Sequence, residues 1–142
     1  MSALLPGIPD ERVHRLLERL TVRQRLRQVE RWLRSTCPTT LPVLRVRVER
    51  IGDGWSDLGE CYTVPGGLAI RVQSGQDMGP AIDHLLHEWA HAMSWPTRYA
   101  EEAHRRLRRR EHPEHPDEFW LAYGRVYRAW HDEDGWRRSG GY

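Results

Sequence analysis

Between residues 84 and 95 the chain reads HLLHEWAHAMSW, with three histidines and a glutamate inside eight positions. His87 and His91 are four residues apart, about one helical turn, so on a helix both imidazoles leave the same face. Neutral imidazoles about 2.0–2.1 Å from a zinc ion fill two corners of its tetrahedral shell. Glu88 stands one step round the helix from His87, beside such an ion rather than on it. From there its carboxylate can take a proton from a zinc-activated water. This H-E-x-x-H spacing is the signature of zinc hydrolases. His84 precedes the pair by a turn on the same face, but axial rise leaves it roughly 7 Å from their point of convergence. It is expected not to be a ligand.

Catalytic zinc takes three protein ligands and keeps one position open. The extended metzincin pattern requires Gly at 94 and His at 97, where this chain has Ser94 and Thr97. Of the later candidates, His104 falls in a charged stretch and His131 at the start of the tail. His115 directly precedes Pro116, a helix start, and can point across to the first helix while the aromatic stripe behind it packs down. His112, three residues earlier, and Glu118, from the next helix, are the alternatives. Tyr123 and Tyr127 are candidates for an oxyanion-stabilising hydroxyl, although core packing is the more ordinary role for both.

The elements that must hold these residues are legible as periodicities. Asp10 precedes Val13, Leu16, Leu17 and Leu20, an amphipathic helical stripe. Thr21 and Gln24 form a capping-box pattern that restarts the phase with Val22, Leu26, Val29 and Leu33, so two helices or one kinked helix fill 10–35. VLRVRVERI, from Val43 to Ile51, alternates apolar and polar as a half-buried strand does. CYTV, a Pro65-Gly66-Gly67 turn and LAIRVQ read as a hairpin with strands near 60–64 and 68–73. The second of these is a candidate for backbone addition of a peptide substrate, should it lie at the sheet edge. Pro80 suits the first turn of a helix that Pro96 stops, and apolar residues cover most of its circumference, which implies burial. A charged helical region is expected over 98–111, then a last helix from Pro116 with the stripe Phe119, Ala122, Tyr123, Val126, Tyr127 and Trp130. The fold class is α+β, with N-terminal helices, a small and mostly antiparallel three-stranded sheet, a buried H-E-x-x-H helix and a C-terminal helix. Residues 1–142 form one domain, with 1–9 and 132–142 as flexible ends.

HEWAHAMSW, a charged spacer and HPDEFWLAYGRVY together resemble the SprT-like (Spartan-type) zinc metallopeptidases and their small bacterial and phage relatives. In that family a third histidine opens an H-G-x-E-[FW] segment at the next core helix. The resemblance implies a zincin-like minimal domain in which His87, His91 and His115 are zinc ligands and Glu88 is the general base. It places Glu118-Phe119 on the acidic–aromatic pair. It spans roughly residues 24–130. Pro116 stands where glycine is usual, and the C-terminal cysteine-rich zinc ribbon of longer members is missing, which removes one source of nucleic-acid targeting.

The composition sets the remaining expectations. No apolar run approaches the roughly 18 residues of a membrane span, and the N-terminus shows no signal-peptide pattern, so a cytoplasmic protein is expected, without a membrane partner. Cys37 and Cys61 belong to no metal-ligand spacing and are expected to be reduced, partly buried thiols. All 22 basic residues are arginine against 20 acids, a net charge of +2 that calls for no polyanionic partner globally. Locally, RRLRRR at Arg105–Arg110 is a solvated helix face or a weak nucleic-acid contact. The expected function is peptide-bond hydrolysis by a monomeric zinc enzyme acting on a protein or peptide. The alternative is a non-catalytic zinc-stabilised binding module, associated with nucleic acid or phage assembly. Glu88 separates the two, since a closed structural site has no use for an acid beside an open coordination position.

Overall fold

The computed structural model describes residues 10–51, 58–96 and 117–140. The expected helical region at 98–111, the Arg105–Arg110 run and His104, His112, His115 and Pro116 lie outside the described residues. So does the segment 1–9.

The first two helices are separate, α1 (Asp10–Glu18) and α2 (Val22–Thr36). The break is the capping box read from the sequence: the Gln24 amide donates to Thr21 Oγ1 and the Thr21 amide donates to Gln24 Oε1. Three strands follow, β1 (Val43–Glu49), β2 (Gly59–Val64) and β3 (Gly67–Gln73). Val64 pairs with Gly67, so Pro65 and Gly66 alone make the hairpin turn. Gly66 has φ +95°, a left-handed conformation that residues with a Cβ rarely adopt.

The sheet is mixed, in the order β1-β3-β2, rather than mostly antiparallel. β2 runs antiparallel to β3, whereas β1 runs parallel to it with Val46 opposite Ile70 and Val48 opposite Val72. Strand β3 takes the centre because its run is the most apolar: Leu68, Ala69, Ile70 and Val72 are all buried. Leu68, Ile70 and Val72 with Cys61 face the helices, while Glu60, Tyr62 and Arg71 occupy the opposite parity. Arg71 there is ion-paired with Glu60, its guanidinium over the Tyr62 ring.

Helix α3 (Met78–Ser94) fills the core as its composition implies, burying Leu85, Leu86, Trp89, Ala90 and Ala92. The Trp89 indole donates to the Cys37 carbonyl at 2.8 Å, the Thr40 hydroxyl donates to the Trp95 carbonyl at 2.7 Å, and the Thr40 amide donates to the Ala92 carbonyl at 3.2 Å. These bonds fix the C-terminal half of α3 against the segment that leads into β1. Helix α4 (Asp117–His131) lies along α3 and buries Phe119, Ala122, Val126, Ala129 and Trp130.

The end of the chain departs from the expected aperiodic tail. After Asp134 in the left-handed region, α5 (Gly135–Arg138) makes one more turn of helix. Its Trp136 stacks on His14 at 4.6 Å, and the Trp136 carbonyl accepts from the buried Arg25 guanidinium. One turn is too short to show a helical period, so only its tertiary partners reveal it.

Candidate metal centre

His87, Glu88 and His91 lie in the C-terminal half of α3, between β2 on one side and α4 on the other. Their candidate ligand atoms all lie within 4.8 Å of one another. Glu88 and His91 are buried, and His87 is partly open. The His87 Nε2 to Glu88 Oε1 distance is 3.9 Å. Two imidazole nitrogens on one tetrahedral zinc stand about 3.3 Å apart, within the span over which these ligand atoms are gathered. Two imidazoles beside a carboxylate form a donor set suited to zinc. The residues fit the metal.

Phe119, from the first turn of α4, forms the floor of the site. Its ring stacks on His91 at 4.3 Å and 28°, and lies 5.0 Å from the His87 ring. Fully buried itself, it restricts the rotation of both imidazoles. Tyr123, one turn on, meets His87 edge-on at 5.5 Å.

Strand β2 supplies the other wall. A Cβ built on Gly59 would stand 3.2 Å from Glu88 Cγ and 3.6 Å from His84 Cβ, so the strand passes close against Glu88 and a side chain there would press on it. Cys61, two residues on, faces the same helix. Burial pushes its thiol well above the ordinary range, and the Glu88 carboxylate pushes it further. Both cysteines are free thiols, and neither joins the cluster.

The sequence-predicted residues divide as follows. His87, Glu88 and His91 are brought together, and His84 stays outside the cluster, its buried Nδ1 without a hydrogen-bond partner among the described residues. Glu118 is exposed in the first turn of α4 beside Asp117, where its charge suits the positive helix end. His115 lies outside the described residues. The Tyr127 hydroxyl lies 3.5 Å from Asp83 Oδ1. Burial first, then the hydrogen bond with Tyr123 and the Asp83 carboxylate, hold Tyr127 in its protonated form. Tyr127 is thus bonded along the α3–α4 seam, away from an oxyanion role.

Strand β3 does not serve as an edge for substrate addition, because it is paired on both sides. Among the described residues the sheet edge beside the site is β2. Sequence reasoning also missed Gly59 and Phe119 as walls. Glycine opening a strand was the available signal for the first, and the start of an aromatic stripe for the second.

Comparison with protein-family models, curated proteins and solved structures finds no match to this chain.

Proposed function

We propose that this chain is a zinc-dependent metallopeptidase in which His87 and His91 are ligands and Glu88 is the general base. One observation carries the reading: two imidazoles and a buried carboxylate converge on a single turn of a core helix, with an edge strand laid against the carboxylate. Two imidazoles and a carboxylate at this spacing are the donor set and base that a zinc hydrolase needs.

A zinc ion held there supplies Lewis-acid activation of a water, whose pKa falls toward about 7. Glu88 takes the proton from the attacking water and returns it to the leaving amine. The shallow exposure of Glu88 keeps bulk water from competing for that proton. Phe119 holds the imidazoles in orientation, and β2 walls the site beside Glu88. The third ligand in this reading is His115. Support comes from α4: Phe119 is seated on both imidazoles, and Asp117, where the described helix begins, is two residues from His115. The resemblance to SprT-like metallopeptidases points to the same set.

Glu88→Gln tests the reading. The amide matches the carboxylate in size but accepts no proton, so zinc uptake stays near one equivalent while peptide hydrolysis falls by about 10²–10⁴-fold. Equal hydrolysis by wild type and Glu88→Gln sinks the assigned base. Zinc uptake without hydrolysis by the wild type favours the non-catalytic module instead.

A further inference from the structure

Val13 and Leu17 of α1 form a small apolar cluster with Leu20 and Trp136, apart from the main core. A cleft of about 540 Å³ is lined from both sides, by α1 and α5 on one and by α2, the start of α3 and the end of α4 on the other. Clefts that enclose small organic ligands are of this size, about 300–1,000 Å³, and are mostly apolar with a few polar groups. The apolar walls here are Leu17, Met78 and Ile82 with the indoles of Trp130 and Trp136. Gly79, in the first turn of α3, adjoins open space: a Cβ there would meet nothing within 4 Å.

Three polar side chains reach the cleft, and all three are nitrogen donors. Arg25 is only 2% exposed, with its guanidinium 5.5 Å over the Trp130 ring. It donates to Gln28 Oε1 at 3.1 Å and to the Trp136 carbonyl at 2.6 Å, and both of these acceptors are neutral. His14 stacks on Trp136 at 4.6 Å, its ring 4° from parallel, and His131 lies beside Trp130. Among the described residues no carboxylate lines the cleft. The α3 N-terminus, the positive end of a 17-residue helix, also opens here, and the Asp77 side chain makes no capping bond to it.

We propose that this cleft binds a small aromatic carboxylate, its ring against the two indoles and its charge toward Arg25 and the imidazoles. Indole faces and edges pack well on a flat ring. Guanidinium and imidazole N–H groups give a carboxylate charge-assisted hydrogen bonds in a partly desolvated setting. A cationic ligand would meet like charge, and a neutral one would forgo those bonds. The cleft is separate from the metal centre: Gly79 precedes His87 by eight residues, about 12 Å along α3. The inference does not depend on the peptidase reading.

The test is isothermal titration of the full chain with 2-naphthoate and with its neutral analogue 2-naphthamide. Naphthoate should bind once per chain and at least about tenfold more tightly than the amide, a preference that Arg25→Gln removes. Gly79→Leu puts a side chain into the open space and should weaken naphthoate binding at least about tenfold. Its melting temperature should hold or rise, because leucine is the better helix former, so lost binding there is not lost folding. Gly124→Leu makes the same change on the exposed face of α4, where a Cβ also meets nothing, and should alter affinity less than about twofold. If thermal melts show Arg25→Gln unfolded, the analogue pair and Gly79→Leu still decide the matter. Four results overturn the proposal: no naphthoate binding at about 1 mM, equal affinity for acid and amide, equal losses in the two leucine variants, or wild-type affinity in Gly79→Leu, which would seat the probe elsewhere, the metal centre included.

Discussion

Gly59 is the most exposing position in the site, because it tests β2 and Glu88 together. An alanine Cβ there would meet Glu88 Cγ at 3.2 Å, Arg71 O at 3.4 Å and His84 Cβ at 3.6 Å. Carbon atoms rest at about 3.5–4.0 Å, so Glu88 must yield by a few tenths of an ångström. Glu88 is only 7% exposed and has little space to yield into. Gly59→Ala should be nearly neutral in stability, since the restricted unfolded chain returns about 0.4–1 kcal/mol against the new contact. Gly59→Val adds two methyl groups on the same spot and should cost about 1–3 kcal/mol by overpacking. Displacing a catalytic group by about 1 Å can cost on the order of 10²-fold in rate, so kcat/KM should fall several-fold in the alanine variant and about 100-fold in the valine. Zinc affinity should hold, because the added atoms approach neither His87 nor His91. The measurements are urea melts, zinc titration and kinetics on a quenched fluorescent peptide. Full activity in Gly59→Val would refute the placement of Glu88 as a base beneath β2. An equal drop in zinc affinity and rate would move the effect onto the ligands.

Two further outcomes are expected. His115→Ala should weaken zinc binding far more than His112→Ala or Glu118→Ala, and titration of the three variants decides the third ligand; parent-like affinity in His115→Ala removes it. Burial raises the Cys61 and Cys37 thiols above their ordinary 9.0, Cys61 the more strongly. A folded pKa raised above the unfolded value leaves stability intact below about pH 9 and erodes it as pH climbs. The fall above pH 9 should approach about 1.4 kcal/mol per pH unit for Cys61. Urea melts at pH 8, 9 and 10 check this, and an unchanged midpoint across that range would show that the thiol is not held protonated.

The motif and most elements are local properties, and the sequence alone determines them. One turn of helix puts His87 and His91 on one face wherever the helix lies, and the Thr21–Gln24 box breaks α1 from α2 without tertiary help. The apolar circumference of α3 likewise requires burial. Strand order is different. β1 alternates equally well beside either neighbour, and only the competition to bury LAIRV on both faces puts β3 in the centre and makes β1 parallel to it. That choice moved the edge beside the site from β3 to β2. The walls of the centre, Gly59 and Phe119, come from segments about 30 residues either side of the motif, and no periodicity links them to His91. Spacing along a helix sets which residues can share an ion; long-range packing decides what surrounds it, because contacts across the core depend on the whole arrangement of elements and not on any one of them.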